Sequence, residues 1–306
     1  MKRREFLQCL GWGLAGGWTV NRWGWPGMAA AASLPRRLAL LGDAHLPDGK
    51  ASRPEARALA RAVMEIRGLR PAPELVLFAG DLAHDGNPRA FALGREILTD
   101  LPAPLAAVPG EGDGQGRDAN AWRRLFGEPR FSKAYGGFHL LGLHTSLMPS
   151  PQGAVFAVGR EQRRWLAREL ERLDPDTPLI VLSHAPLGEI FRPWQQWTQD
   201  GPELLRLLSP FSRVYYFHGH VHREAVSSQL SAFSHDFTER DRSLPTADRR
   251  PQTQNHPLPA TAWPLPSPLQ GTPAAARPGL GPQGCGWGLV TLGERSVTYQ
   301  SRMWAA

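Results

Sequence analysis

The chain has 306 residues, of which 42% are hydrophobic and 21% are charged. This composition excludes global disorder, and the length allows one large domain with a substantial core or at most two ordinary ones. The formal net charge is +7, but no basic tract is interleaved with aromatic residues, so we expect no nucleic acid as a partner.

The N-terminal segment has the features of a secretory signal. In MKRREFLQCLGWGLAGGWTV, basic residues that include Arg3 and Arg4 precede a short apolar stretch rich in glycine. This arrangement resembles a twin-arginine signal peptide, so we expect residues 1–32 to be removed after the twin-arginine translocase has exported the folded protein to the periplasm. The alternative is a membrane anchor, but the apolar stretch is too short to span a bilayer, and we expect no permanent anchor.

Removal of this segment would change the charge and the cysteine content of the chain. Four of the 35 basic residues and one of the 28 acidic residues would be lost, so the net charge would fall to +4. Cys9 would also be lost, leaving Cys285 alone. The mature protein would then have no internal disulfide, and we expect its stability to depend on packing and on bound metal.

Short apolar runs alternate with amphipathic segments along the rest of the chain, which is typical of a layered α/β protein. Apolar residues spaced three and four apart, with Pro or Asn near the start, predict helices at 53–69, 87–101 and 159–173. Six apolar runs predict buried strands that end in polar residues or glycine. These runs are RLALLGD (37–43), ELVLFAGD (74–81), PLAAVPG (104–110), FHLLGLHTS (138–146), PLIVLSH (178–184) and RVYYFHG (213–219).

The composition changes in the last quarter of the chain. Residues 235–283 are rich in Pro, Gly, Ser and Thr, which predicts a long irregular excursion. Disorder is one interpretation of this stretch. The alternative is an edge strand, because Trp263 lies among prolines and tryptophan is usually buried. Residues 286–303 alternate in polarity about a GER turn and predict a hairpin.

Potential metal ligands follow the predicted strands, in the segments GDAH, AGDL, GEGD, LSHAP and GHVH. Each residue alone has an ordinary explanation, since a tip aspartate can cap the next helix and a lone histidine is usually a hydrogen-bonding partner. Together they predict a metal site, because the carboxyl ends of strands in an open α/β sheet converge on one crevice. The candidates are Asp43, His45, Asp81, Glu111, His184, His220 and His222.

The order of these motifs, D-x-H, G-D, G-E-G-D, H and G-H-x-H, closely resembles that of the calcineurin-like metallophosphoesterase superfamily, which has G-N-H in the third position. The resemblance runs from Leu38 to Glu224 and implies a four-layer α/β/β/α sandwich within residues 33–306. It also implies hydrolysis of a small phosphate mono- or diester by metal-activated hydroxide at two transition-metal ions. Histidine and carboxylate ligands suit Mn, Fe, Zn or Co, and these ligand types alone do not identify which of the four metals is bound.

The resemblance also assigns roles to the candidates. Asp81 would bridge both ions, and catalysis would depend on it together with Asp43 and His45. The ligands of the first ion would be Asp43, His45 and His222, and those of the second would be His184 and His220. Three further polar residues lie close to the motifs, namely His84, Asp85 and His218. We expect His218 to support a ligand rather than to be one.

The G-E-G-D loop departs from the family pattern. Glu111 replaces an asparagine that ligates the second ion, and we expect its carboxylate to do the same; the alternative is a solvated charge on a glycine-rich turn. Gly112 replaces a histidine held to contact the phosphate or protonate the leaving group, so turnover of activated esters should exceed that of alkyl phosphates. Asp113 would orient that histidine in the family, and here we expect it to be free for water or an incoming group.

Two other functions compete with an exported phosphoesterase. One is a non-catalytic metal- or partner-binding protein on a degenerate phosphoesterase scaffold, which would explain Gly112 and the Pro-rich excursion. The other is a cyclic nucleotide phosphodiesterase, since D-x-H and G-H-x-H also occur there, although the expected export and the altered loop argue against it.

Overall fold

The computed structural model describes most of the chain from Arg36 to Trp304. The described residues are 36–114, 120–151, 153–188, 197–222, 252–261, 285–293 and 296–304. The predicted signal peptide and most of the Pro-rich excursion, including Trp263, lie outside them. Among the described residues, no helix combines the length and the apolar character needed to cross a membrane.

Two five-stranded sheets form the centre of the fold. The strands of the first sheet are β1 (Arg36–Leu41), β2 (Leu75–Phe78), β3 (Leu105–Ala107), β11 (Gly286–Leu292) and β12 (Val297–Met303). Their order is β12-β11-β1-β2-β3, with β1, β2 and β3 parallel. The last two strands form the predicted C-terminal hairpin, which is confirmed, and β11 pairs antiparallel with β1.

The second sheet is mainly parallel. Its strands are β4 (Phe131–Tyr135), β5 (Phe138–Leu143), β8 (Leu179–Ser183), β9 (Arg213–His218) and β10 (Gln252–Pro257). Their order is β10-β9-β8-β5-β4, and only β4 and β5 pair antiparallel. A separate hairpin is formed by β6 (Ser146–Ser150) and β7 (Gly153–Ala157).

The described part of the chain contains six helices. They are α1 (Pro54–Gly68), α2 (Pro88–Leu98), α3 (Glu111–Gly114), α4 (Ala121–Phe126), α5 (Arg160–Leu170) and α6 (Gly201–Leu208). A proline in the first turn favours the starts of α1, α2 and α6. The side chain of Asn87 caps α2 by accepting a hydrogen bond from the backbone N–H of Arg89.

Three buried apolar clusters separate four layers. Successive residues of β1 point to opposite faces of the sheet. Ala39 and Leu41 therefore pack with α1, α2 and α4 on the outer face, whereas Leu38 and Leu40 pack against the second sheet. A third cluster, which includes Leu166, lies between the second sheet and α5 and α6. The predicted four-layer α/β/β/α sandwich is confirmed.

Strand β10 lies in the stretch that the composition predicts to be irregular. Its sequence, QTQNHP, contains no apolar run. It is an edge strand, paired with β9 alone in parallel register through backbone hydrogen bonds. Such pairing does not depend on an apolar pattern, and for this reason the sequence gives no sign of the strand.

The loops after β1 and β2 remain paired beyond the ends of the strands. Three N–H groups after β1 donate to carbonyl oxygens after β2 at 2.8 to 2.9 Å, in the pairs Asp43–Gly80, His45–Asp81 and Leu46–Leu82. The N–H of His84 then donates to the carbonyl oxygen of Leu46 at 3.0 Å. The two loops therefore form one unit at the carboxyl edge of the first sheet.

Candidate metal centre

The ends of five strands position the seven candidate ligands. Asp43 and His45 follow β1, Asp81 follows β2, Glu111 begins α3 after β3, His184 follows β8, and His220 and His222 follow β9. All seven are buried, with exposed fractions between 0 and 7%. The structure brings all of them together: His45 and His222, for example, are in contact although they lie 177 positions apart in the sequence.

Backbone strain is concentrated on these residues. Five of them have a φ between 47° and 68°, in the left-handed region that residues other than glycine rarely occupy. They are Asp43, His45, Asp81, His220 and His222, and no other non-glycine residue of the described chain has a positive φ. Such a conformation costs about 1–3 kcal/mol per residue and persists where the surrounding structure imposes it, often at functional sites.

The first cluster consists of Asp43, His45 and His222. The Nε2 atoms of His45 and His222 are 3.0 Å apart, and His222 Nε2 lies 3.2 Å from Asp43 Oδ1. One ligand atom from each residue lies within 4.8 Å of the other two. Two imidazole nitrogens and a carboxylate oxygen in this arrangement suit a transition-metal ion.

The second cluster consists of Glu111, His184 and His220. His184 Nε2 lies 2.6 Å from Glu111 Oε2, and His220 Nδ1 lies 3.0 Å from Glu111 Oε1. Glu111 is only 7% exposed, so it is not a solvated charge on a turn. Its two oxygens face two different histidines, which gives a second set of ligand atoms within 4.8 Å of one another.

Asp81 lies between the two clusters. Its Oδ2 is 3.6 Å from His45 Nε2 in the first cluster and 3.5 Å from His184 Nε2 in the second. Its other oxygen, Oδ1, accepts a hydrogen bond from the backbone N–H of Gly112 at 2.8 Å. One carboxylate oxygen therefore faces both sets of ligands, as a bridging ligand requires.

The second cluster has buried atoms whose hydrogen-bonding capacity is unused. Within the described residues, His184 Nε2, His220 Nδ1 and Glu111 Oε2 meet no partner in hydrogen-bond geometry, although the Glu111 oxygens lie 2.6 and 3.0 Å from the two nitrogens. His184 Nδ1 donates to the carbonyl oxygen of Ala79 at 2.6 Å, which leaves the lone pair of Nε2 for a ligand bond. Buried polar atoms without partners are rare. The residues therefore fit metal ions, which would bind all three atoms.

The pKa shifts reflect strong interactions among the buried carboxylates and histidines. Burial opposes ionisation of Asp43, but His222 and the other histidines outweigh it and lower its pKa to about 2. Burial opposes ionisation of Glu111 as well, yet its histidine neighbours hold its pKa well below the ordinary value. Burial and the nearby charge of Glu111 raise the pKa of Asp81. Burial, with His222, lowers the pKa of His45 to about 3, so its ring is neutral and able to bind metal at neutral pH.

Two glycines allow the backbone to approach the carboxylates closely. A Cβ at Gly110 would collide with Asp81 Oδ1, and a Cβ at Gly219 would lie 2.6 Å from Asp43 Oδ2. Both glycines stand next to candidate ligands in the sequence. Any larger residue at either position would displace a ligand carboxylate.

The Asp113 carboxylate joins two loops. Its Oδ1 accepts from the N–H of Ala83 at 2.9 Å, and its Oδ2 accepts from the N–H of Gly110 at 3.0 Å. Burial raises the pKa of Asp113 to about 6, although these two hydrogen bonds act to lower it. The prediction that Asp113 is free for water or an incoming group is wrong, because backbone amides of both loops occupy its two oxygens.

The other polar residues near the motifs lie outside both clusters. His218 is buried and stacks on Tyr216 with ring centroids 5.3 Å apart, and its Nδ1 bonds to the carbonyl oxygen of Gly219. Asp85 is exposed. His84 is also exposed, and its ring centroid lies 5.7 Å from that of His45 in an edge-on arrangement.

A hydrogen-bond network beneath His184 has no clear signal in the sequence. Ser183 Oγ and Tyr216 Oη are 2.7 Å apart, and Tyr216 Oη accepts from the N–H of Leu187 at 2.9 Å. Thr145 Oγ1 accepts from the N–H of Ala185 at 2.9 Å. These contacts fix the loop that carries His184. They depend on the neighbouring positions of β5, β8 and β9, and the sequence shows only polar residues at the ends of apolar runs.

Comparison with known proteins agrees with this geometry. A family model described as calcineurin-like phosphoesterase matches residues 36–224, a range that contains all seven candidate ligands. The chain is 26% identical over 183 residues to a probable glycerophosphodiester phosphodiesterase of Arcobacter nitrofigilis, covering 56% of this chain and 64% of that protein. It is 27% identical over 202 residues to a 3',5'-cyclic-nucleotide phosphodiesterase of a Nostoc species, covering 62% of this chain and 73% of that protein. The match thus spans less than two thirds of the first relative.

Solved structures share the fold at low sequence identity. A dimetal phosphatase from Danio rerio superposes with a TM-score of 0.58 at 13% identity, covering 88% of this chain and 96% of that one. A purple acid phosphatase from seeds of yellow lupin, Lupinus luteus, superposes with a TM-score of 0.56 at 14% identity. The match covers 89% of this chain and 52% of that one. These matches show that the fold is shared.

Proposed function

The chain belongs to the calcineurin-like phosphoesterase family, and from this premise we propose that it is a phosphodiesterase with a dinuclear metal site. The observation that carries the proposal is the position of Asp81. Its Oδ2 lies 3.6 and 3.5 Å from ligand nitrogens of the two clusters. A shared carboxylate allows two ions to act on the same phosphoryl group.

Each residue of the site has a distinct part in this reaction. Asp43, His45 and His222 would hold the first ion, Glu111, His184 and His220 would hold the second, and Asp81 would contribute to both. Such a pair of transition-metal cations would neutralise phosphoryl oxygens and supply hydroxide at neutral pH. The bond from His184 Nδ1 to the carbonyl oxygen of Ala79 orients the ring before substrate arrives. The burial of all seven ligands keeps bulk water away and strengthens electrostatic attraction to the phosphate.

The charge of the site favours a phosphodiester over a monoester. Glu111 stands where the family pattern has a neutral asparagine, so Asp43, Asp81 and Glu111 together offset three of the four positive charges of two divalent ions. A diester carries a single negative charge, whereas a monoester carries nearly two at neutral pH. The reduced positive charge penalises the monoester more, and both named relatives are phosphodiesterases.

A cyclic nucleotide is the second candidate within the same class. The Nostoc relative is named a cyclic-nucleotide phosphodiesterase, and a cyclic nucleotide is also a singly charged diester. A non-catalytic scaffold is the alternative from another class. The full set of ligand atoms in both clusters is more than such a scaffold needs.

The experiment that tests the function compares two chromogenic substrates on protein reconstituted with Mn²⁺. We expect bis(p-nitrophenyl) phosphate to be hydrolysed with a higher kcat/KM than p-nitrophenyl phosphate. Asp81→Asn should reduce turnover of the diester by at least about 100-fold. Bound metal with no turnover above the Asp81→Asn background would favour the scaffold and overturn the proposal.

We also propose that the protein works in the periplasm, on the basis of the Arg3 and Arg4 pair and the short apolar stretch after it. The full chain can be expressed in a bacterium that has a twin-arginine translocase. We expect it in the periplasmic fraction, and we expect the double substitution Arg3→Lys and Arg4→Lys, which keeps the charge, to retain it in the cytoplasm. Equal distribution of the two proteins would contradict the proposal.

A further inference from the structure

Backbone atoms of the loop after β2 fill the space beside Gly112. A Cβ at this position would lie 2.6 Å from the carbonyl oxygen of Ala83 and 2.8 Å from that of His84. Neither oxygen can move easily. The N–H of Ala83 is bonded to Asp113 Oδ1 at 2.9 Å, and the N–H of His84 is bonded to the carbonyl oxygen of Leu46 at 3.0 Å.

This packing leaves no space for a side chain at position 112, a histidine included, unless the loop after β2 shifts. The Gly112 N–H is in addition committed to Asp81 Oδ1 at 2.8 Å, so the backbone cannot withdraw without releasing the carboxylate that lies between the clusters. A substrate contact from position 112 is therefore not available in this protein. The loop that fills the space carries a different histidine, His84.

His84 is placed at the solvent-facing side of the first cluster. Of the histidines that the structure describes, it is the only exposed one. Its ring is edge-on to His45, with centroids 5.7 Å apart. His45 and His222 retain 5% and 4% exposure, whereas the histidines of the second cluster retain none. The exposed His84 ring therefore lies beside a ligand histidine that solvent can reach.

We propose that His84 is a substrate-contacting residue whose ring N–H donates a hydrogen bond to an oxygen of the phosphoryl group. The contact replaces, from the loop after β2, the one that Gly112 cannot make. It rests on the proposed function, since it assumes a phosphate ester as the substrate. An imidazole ring carries at least one N–H in every protonation state at working pH, so the contact needs no change in charge.

The test measures phosphate binding separately from turnover. Inorganic phosphate is titrated calorimetrically into Mn²⁺-reconstituted wild type, His84→Ala, His84→Gln and Asp85→Ala, the last being the exposed neighbour used as a matched control. Hydrogen bonds to charged groups change affinity by about tenfold or more. We expect His84→Ala to weaken phosphate binding about tenfold, His84→Gln to recover part of the loss through its amide N–H, and Asp85→Ala to bind within about twofold of wild type. Metal content should be equal in all four proteins.

Each outcome bears on one proposal or on both. Phosphate affinity of His84→Ala equal to that of Asp85→Ala would overturn the assignment of His84, whatever the turnover. Wild type that binds phosphate through His84 but hydrolyses no diester would support the contact and contradict the proposed function. Wild type that binds no phosphate would overturn the assignment of His84, while diester turnover alone decides the proposed function.

Discussion

The backbone N–H of His220 donates to the carboxylate of Asp43, with distances of 3.1 and 3.2 Å to its two oxygens. This bond joins the end of β1 in one sheet to the end of β9 in the other. Asp43 therefore has two functions, because it accepts a bond that holds the sheets together at the site and it supplies negative charge to the first cluster. Substitutions of Asp43 can separate the structural bond from the negative charge.

Asp43→Asn keeps an oxygen that accepts the backbone bond but removes the charge. We expect metal binding at the first cluster to weaken by at least about tenfold, while the Tm of the metal-free protein changes little. Asp43→Ala removes both functions and should lower the Tm of the metal-free protein by several degrees, about 2–4 °C per kcal/mol lost. Calorimetry in EDTA and metal titration measure the two effects. Equal Tm values for the two variants would show that the bond to His220 does not stabilise the fold.

Gly112 and Gly114 form a matched pair within α3. A Cβ at Gly112 meets backbone oxygens at 2.6 and 2.8 Å, whereas a Cβ at Gly114 meets nothing within 4 Å. We expect Gly112→Ala to lower the free energy of unfolding by about 1–3 kcal/mol through overpacking. Gly114→Ala should be neutral or stabilising by up to about 1 kcal/mol. Urea unfolding of the metal-free proteins checks the difference, and equal effects of the two substitutions would contradict the packing described for the loop after β2.

The absence of a side chain at Gly112 also affects the choice of leaving group. A general acid typically contributes about 100-fold or more to the departure of a poor leaving group. Without one at this position, hydrolysis should depend steeply on leaving-group pKa, and aryl diesters should turn over at least about 100-fold faster than alkyl diesters. A series of diesters with graded leaving groups gives this slope. A flat dependence would mean that another residue donates the proton.

His218 should make the metal-free protein sensitive to acid. Burial lowers its pKa from the ordinary 6.5 to about 4, so the folded state binds a proton less readily than the unfolded state. The stability that this neutral ring contributes is fully present above pH 6.5 and is lost as the pH falls through about 4. Between pH 7 and pH 4, wild type should lose about 3 kcal/mol more than His218→Gln. Urea unfolding in EDTA at a series of pH values measures the free energy of unfolding of both proteins. Parallel curves of this free energy against pH for wild type and His218→Gln would contradict the prediction.

The sequence pattern is sufficient to predict a layered α/β protein and the grouping of polar residues at strand ends, whereas the four-layer arrangement is implied by the family resemblance. Apolar runs that alternate with amphipathic helices lead to the parallel strands β1, β2, β8 and β9, and parallel strands place their carboxyl ends on one edge. Asp43, His45 and Asp81 are found together for this reason, with the histidines that follow β8 and β9 beside them.

Features that depend on backbone contacts between distant loops are not visible in the sequence. The bonds of Asp113 to Ala83 and Gly110 require two loops to meet, and the spacing of residues does not report that meeting. The same holds for the space beside Gly112, where the sequence shows only a missing side chain. Strand β10 depends on backbone pairing with β9 and has no apolar pattern to predict it.

The most direct test of the dinuclear site is the metal content of the reconstituted protein, measured by inductively coupled plasma mass spectrometry on wild type and Glu111→Ala. The substitution removes the one side chain whose two oxygens face both histidines of the second cluster. We expect two ions per chain in wild type and one in Glu111→Ala. One ion or none in wild type, or two retained in Glu111→Ala, would contradict this expectation.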